Sequence, residues 1–326
     1  FISNAGNDTL SGGAGNDYLD GGNDTDTVNY TYINSVALYD KGVNVNLKNE
    51  TASDITGGTL VGSDTLKNIE NVVGTKNNDS IVGNSSTNTL YGGNGADTLE
   101  GNEGDDSLDG GAGDDILKGG TGDDILDGRD GTDTADFSDL AYGVTVVLDS
   151  DNNGTNDALG TASSNGKIDT LKQIENVIGT DRADNITGDD KANTLLGGAD
   201  NDVCKGLAGA DYIDGQDGAD DTIDFSDAVS AGVKVDLTAT LKDSGTTNGT
   251  ETIDNVYISQ ATINSMISQG YILTVNGVNI TSKSTETITP EGKSSGVYYV
   301  LTHEEADQIT VKNSVEHKIN GNFTLD

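Results

Sequence analysis

Apolar residues in this chain arrive one at a time, at a fixed interval. From Gly74 to Asp136 the sequence reads in seven unbroken steps of nine: "GTKNNDSIV", "GNSSTNTLY", "GGNGADTLE", "GNEGDDSLD", "GGAGDDILK", "GGTGDDILD" and "GRDGTDTAD". The eighth place of each step holds Ile81, Leu90, Leu99, Leu108, Leu117, Leu126 and Ala135, and the sixth holds Asp79, Asn88, Asp97, Asp106, Asp115, Asp124 and Asp133. Residues 3–29 repeat the pattern in three steps, with Asp8, Asp17 and Asp26 two places before Leu10, Leu19 and Val28. Residues 179–214 repeat it in four, with Asp184, Asn193, Asp202 and Asp211 before Ile186, Leu195, Cys204 and Ile213. A further step, "GQDGADDTI", carries Asp220 but gains one residue before its strand, so its register slips. Self-similarity at a short fixed period is the mark of an array of stacked units.

Between the blocks the pattern changes to alternation. "GVNVNL" at 42, "GVTVVL" at 143 and "GVKVDL" at 232 read as strands. Each follows an aromatic residue that closes the preceding block, namely Tyr30, Phe137 and Phe225. A longer repeat is laid over the short one: "DTLKNIENVVGT" at 64–75 returns as "DTLKQIENVIGT" at 169–180, an offset of 105 residues. Its third copy, "TIDNVYIS" at 252, lacks the following glycine and marks the end of the array. The inserts either cap each block or continue it as an irregular coil.

Beyond Ser259 the pattern changes again. "SQATINSMISQG" reads as a short helix with Ile263, Met266 and Ile267 on one face and Gly270 as its C-terminal cap, or as a last degenerate nonapeptide. The strand-like runs after it include a hairpin turning at Asn276-Gly277. The organisation expected is therefore repeat blocks at 1–29, 74–136 and 179–223, β inserts at 30–73 and 137–178, an array end at 224–269, and a small β domain at 270–326 that covers the open end of the array.

Composition sharpens this picture. Of 326 residues only 33% are apolar, 45 are glycine, and the formal charge is −38. One large core is excluded, and so is nucleic acid as a partner, since phosphates would be repelled. Acidic disorder is the competing reading of such a composition; the strict periodicity argues against it. No run of 18 apolar residues offers a membrane span. The chain opens at Phe1 with no signal peptide, which reads as a piece of something larger. Cys204, the one cysteine, occupies an apolar place in the repeat and is expected to be a small buried hydrophobe rather than a nucleophile.

So many carboxylates demand a counter-charge. Glycines at the first, second and fourth places permit backbone conformations closed to other residues and let carbonyls converge, and the aspartate adds a charged oxygen. Calcium takes roughly six to eight oxygen ligands at about 2.3–2.6 Å. No single step supplies that number, so two turns must share an ion.

The steps resemble the RTX nonapeptide "GGxGxDxUx", with U apolar, of secreted bacterial proteins. That resemblance implies an all-β fold, the parallel β-roll, in which six residues make a turn, three make a short strand, and two nonapeptides make one coil. Calcium is then expected between same-side turns. Asp79, Asp97, Asp115 and Asp133 should line one edge of the middle block, and Asn88, Asp106 and Asp124 the other. The amides of Asn88 and Asn193 are weaker ligands, and little or no metal is expected there. Counting sandwiched turns over the three blocks gives about nine ions by this repeat logic. Binding of these ions is expected to supply the free energy of folding, at the roughly 10⁻⁴–10⁻³ M affinity of extracellular modules, so that the chain folds outside the cell.

One insert carries a second calcium motif. "DSDNNGTNDALG" places Asp149, Asp151, Asn153 and Asp157 at the first, third, fifth and ninth places of an EF-hand-like loop, but Gly160 stands where the bidentate glutamate belongs. Catalytic motifs are lacking. "HEEAD" at His303 has Asp307 in place of the second zinc histidine, and "GKSSG" at Gly292 joins two strand-like runs without a following helix. The chain is therefore expected not to be an enzyme. The resemblance points to a calcium-stiffened region of a bacterial surface protein of the S-layer or adhesin type, exported by a type I system. The second reading is the folding and secretion module of a larger RTX exoenzyme or toxin. Calcium is the expected partner in both, with self-association or a cell-surface glycan as further candidates.

Overall fold

A computed structural model describes residues 1–31, 41–55, 61–148, 160–218 and 221–224 with their side chains, and the backbone of 255–259, 271–275, 278–279, 285–288, 296–302 and 309–313. Strands dominate, and no α-helix occurs among the described residues. No described helix is long and apolar enough to cross a membrane. The chain divides into two compact units, one formed by Phe1–Leu140 with Leu148–Val177, the other by Ala141–Val147 with Ile178–Asp326.

In the first unit successive nonapeptides fall alternately on two parallel sheets. Thr89–Asn94, Ser107–Ala112 and Ile125–Asp130 lie side by side in one, with Leu90 opposite Leu108 and Leu108 opposite Leu126. Ser80–Val82, Thr98–Glu103, Ile116–Thr121 and Thr134–Asp136 do the same in the other, stacking Ile81, Leu99, Leu117 and Ala135. Every one of these seven side chains is 0% exposed. The core is thus two columns of single residues, one residue per nonapeptide, and the all-β parallel roll implied by the repeat is what the chain forms. Leu108 lies between two leucines, so Leu108→Ala is expected to cost about 2–5 kcal/mol. The measurement is the calcium concentration at half-folding by circular dichroism, which should rise. An unchanged midpoint would show that the column contributes nothing.

The inserts continue the roll rather than cap it. Val43–Asn46, Thr51–Asp54 and Ser63–Lys67 form an antiparallel meander. Its outer strands pair in parallel with the roll on either side, Leu66 opposite Leu19 and Val45 opposite Ile81. Asn71–Val73, from "IENV", places Val72 between Val28 and Leu90. Likewise Lys167–Lys172 pairs in parallel with Ile125–Asp130 and antiparallel with Gly160–Ser164. Tyr30 and Phe137, the aromatic residues that close the blocks, are buried.

In the second unit Thr145–Val147, Asn185–Thr187, Val203–Lys205 and Thr222–Ile223 pair in parallel, stacking Val146, Ile186, Cys204 and Ile223. Leu195 lies opposite Ile213 in the neighbouring ladder. Cys204 is free and buried as expected, and burial pushes its thiol far above the usual range. Toward the C-terminus the pairing turns antiparallel. Gly296–Thr302 lies between Asn255–Ser259 and Thr285–Ile288, and Tyr271–Val275 between Val278–Asn279 and Ile309–Asn313. Val275 opposes Val278 across the expected Asn276-Gly277 turn. The helix or degenerate repeat expected at 260–270 and the strand at 232 lie outside the described residues.

Candidate metal centres

The sixth-place aspartates form two ladders, one along each line of turns. Asp79 N–H donates to Asp97 Oδ1 at 2.7 Å, Asp97 N–H to Asp115 Oδ1 at 2.7 Å, and Asp115 N–H to Asp133 Oδ1 at 2.8 Å. On the other line Asn88 N–H donates to Asp106 Oδ1, and Asp106 N–H to Asp124 Oδ1, both at 2.7 Å. The donor and acceptor in each bond are 18 residues apart, one full coil. Asp8 reaches Asp26 in the same way, Asp184 reaches Asp202, and Asn193 reaches Asp211.

One carboxylate oxygen is used by the ladder, which leaves the other. Oδ2 of Asp17, Asp26, Asp97, Asp106, Asp115, Asp124, Asp133 and Asp202 is buried without a hydrogen-bond partner. These oxygens point at the first-place glycines. A Cβ on Gly92 would collide with Asp97 Oδ2 and stand 2.7 Å from the Gly110 carbonyl of the next coil. Gly101 meets Asp106 Oδ2 and the Gly119 carbonyl, and Gly197 meets Asp202 Oδ2 and the Gly215 carbonyl, in the same way. The first-place glycines are thus required by space. The left-handed backbone belongs to the second and fourth places, with φ of 108° at Gly111 and 131° at Gly113. Leu207 takes a second place at φ 70°, a conformation that strains a side-chain-bearing residue.

Burial weakens these acids. Desolvation, followed in most cases by repulsion from neighbouring aspartates, pushes Asp97 and Asp202 up to about 8 and Asp133 up to about 7. Asp106, Asp115, Asp124 and Asp211 rise to about 6, again chiefly through desolvation. A buried ionised oxygen with no donor is costly, and a cation is the group that would satisfy it. The donors on offer are carboxylate and carbonyl oxygens, which suit calcium rather than a soft metal. Among the described residues no three His, Cys, Asp or Glu side chains gather at one point, so carbonyls must supply most of any coordination shell. The residues present fit calcium on these terms.

Not every expected ligand has a vacant oxygen. Asp79 Oδ2 accepts the Thr75 N–H at 2.5 Å, and its Oδ1 accepts the Val43 N–H at 2.7 Å. Asp184 is held the same way by Thr180 and Val144. Threonine stands at the second place in both steps, which open their blocks. Asp8 receives the Ser3 hydroxyl. Asn88 Nδ2 donates to the Glu70 carbonyl at 2.7 Å, and Asn193 Nδ2 to Asp189 Oδ1 at 3.0 Å, so both amides are hydrogen-bonded at their turns. Asp220 lies outside the described residues; Asp221 holds a ladder position, its Oδ1 accepting the Asp202 N–H at 2.9 Å. The extra residue in that step shifts the register by one. Asp149, Asp151, Asn153 and Asp157 lie outside the described residues.

Among the described residues, four acidic side chains join the ladders from the inserts. Asp64 Oδ1 accepts the Asp17 N–H and Asp169 Oδ1 the Asp124 N–H, each at 2.9 Å. Glu70 Oε2 accepts the Asp26 N–H at 2.9 Å, and Glu175 Oε2 the Asp133 N–H at 2.8 Å. The sequence signal was an acid two places before an apolar residue, as in "DTL" and "ENV". Its spacing of six rather than nine concealed it.

Comparison with known families agrees with this geometry. The family model for the RTX calcium-binding nonapeptide repeat, in four copies, matches residues 1–29, 68–99, 100–135, 178–213 and 205–223. No curated protein matches the chain.

Proposed function

Since this chain is an RTX calcium-binding repeat protein, with the calcium-dependent structural role in a secreted protein that such repeats carry, we propose that it is a calcium-stiffened, non-catalytic region of a bacterial cell-surface protein of the S-layer or adhesin type. Calcium held between turns drives folding outside the cell and rigidifies the roll. The observation that carries the reading is the extension of the ladder into the inserts. Asp64, Glu70, Asp169 and Glu175 keep the turns in step where the nonapeptides stop, as suits a structural region more than a short secretion tag. Self-association through bridging calcium, or a surface glycan, is the partner class in keeping with this role.

The test is where the chain resides on its native cells. Antibodies raised against it should label intact cells, and the label should be lost when calcium is chelated. Recovery of the chain only from culture medium, joined to a hydrolase or toxin domain, would replace this reading with that of an exoenzyme's folding module.

A further inference from the structure

Two joints in the first unit share one arrangement outside the nonapeptide pattern. The chain leaves each insert through nearly the same words, "DTLKNIENV" at 64–72 and "DTLKQIENV" at 169–177. Asn68 and Gln173 both adopt left-handed backbone with φ 50°. Their carbonyls come to the place that the next coil's glycine carbonyl takes inside a block. A Cβ on Gly21 would collide with the Asn68 carbonyl and lie 2.5 Å from Asp26 Oδ2; one on Gly128 would collide with the Gln173 carbonyl and Asp133 Oδ2.

The glutamate of each joint is bound to the same aspartate. Asp26 N–H donates to Glu70 Oε2 at 2.9 Å, while Glu70 N–H and Asn71 N–H return to the Asp26 carbonyl at 3.1 and 2.9 Å. Asp133 N–H donates to Glu175 Oε2 at 2.8 Å, and Glu175 N–H and Asn176 N–H return to the Asp133 carbonyl at 3.1 and 2.8 Å. Asp26 and Asp133 are both 0% exposed, and Oδ2 of each is without a partner. A buried carboxylate oxygen without a donor calls for a cation. The acid here is the longer glutamate, in a connection of six residues where the repeat uses nine.

We propose that Asp26 with Glu70 and the Asn68 carbonyl, and Asp133 with Glu175 and the Gln173 carbonyl, each hold one calcium ion at the joint where an insert returns the chain to the roll. These ions tie each repeat block to the segment after it, so that calcium tension runs through the inserts. The proposal rests on the calcium reading of the array and adds two sites that the nonapeptide pattern does not contain.

The test counts ions on the full chain by native mass spectrometry in calcium. Glu70→Gln and Glu175→Gln keep an oxygen to accept the aspartate N–H, and each is expected to bind one ion fewer than the unaltered chain, the double variant two fewer. An unchanged count in the double variant overturns the joint sites. Should a variant not fold, the unaltered chain decides the matter. Crystals grown with terbium are expected to give anomalous peaks beside Asp26 and Asp133 at the joints. Peaks beside Asp97 and Asp115 with none at the joints overturn this proposal alone; no bound ion anywhere overturns the calcium reading itself.

Discussion

Stripped of calcium at neutral pH, this chain is expected to show little regular structure by circular dichroism, and to gain β signal cooperatively as calcium approaches the millimolar range. Magnesium at the same concentration is expected to fail. The reason lies in what each coil buries. One Leu or Ile per nonapeptide enters the core, as Leu99, Leu108 and Leu117 do, and each brings a carboxylate with it. Those carboxylates stand next to one another along the ladder in a chain of net charge −38. Without a counter-charge the folded state must hold a row of buried carboxyls whose Oδ2 atoms have no donor, each either ionised, at a cost of several kcal/mol by general experience, or forced to take up a proton. An ion that binds only the folded chain adds RT ln(1 + [Ca²⁺]/Kd), about 1.4 kcal/mol per site at tenfold excess. Because each ion joins two turns, the first makes the place for the second, and folding should be steep in calcium. Magnesium demands a small, near-octahedral shell and gives up its waters reluctantly, which turns built largely from carbonyls of fixed spacing do not reward. Equal β signal in chelator and in calcium would remove the basis of the whole account.

Protons are expected to substitute partly for calcium, and to compete with it. Asp97 and Asp202 are pushed up to about 8, and Asp133 and Asp169 to about 7, in the folded chain, in each case first by desolvation. An unfolded aspartate titrates near 3.9. Between those values the folded chain keeps protons that the unfolded chain has lost. Stability therefore falls as pH rises: the contribution is fully present below the unfolded value and is lost through about pH 6 to 8. The metal-stripped chain should then gain β structure on acidification from pH 8 to pH 5. In calcium the dependence reverses, since each ion must displace protons from the carboxylates it binds, and the calcium midpoint should rise as pH falls. Circular dichroism in both series provides the check. A metal-stripped chain that gains structure as pH rises, or a calcium midpoint indifferent to pH, would show that these carboxylates are not the groups that govern folding.

Leu108→Ala and the joint variants then separate two contributions. Removing Leu108 weakens the coils it stacks on whether or not a particular ion is bound, whereas Glu70→Gln and Glu175→Gln are expected to remove named ions and leave the leucine columns intact.

The nonapeptides themselves are legible in the sequence. Aspartate two places before a buried apolar residue, every nine positions, predicts both the columns of Leu90, Leu108 and Leu126 and the ladder of Asp97, Asp115 and Asp133. A solenoid repeats its local environment, so spacing along the chain becomes spacing along the axis. What that spacing does not reveal is where it is broken. Only the folded chain shows that Asp221 enters the ladder, that Asp79 and Asp184 are satisfied by threonines, and that Glu70 and Glu175 stand where a repeat would place an aspartate. Those partners lie more than forty residues from Asp26 and Asp133 and are brought there by the path of an intervening hairpin. Periodicity is a local property and can be read from residue to residue; a joint depends on which distant carbonyl and carboxylate the hairpin delivers, and that is decided by packing in three dimensions.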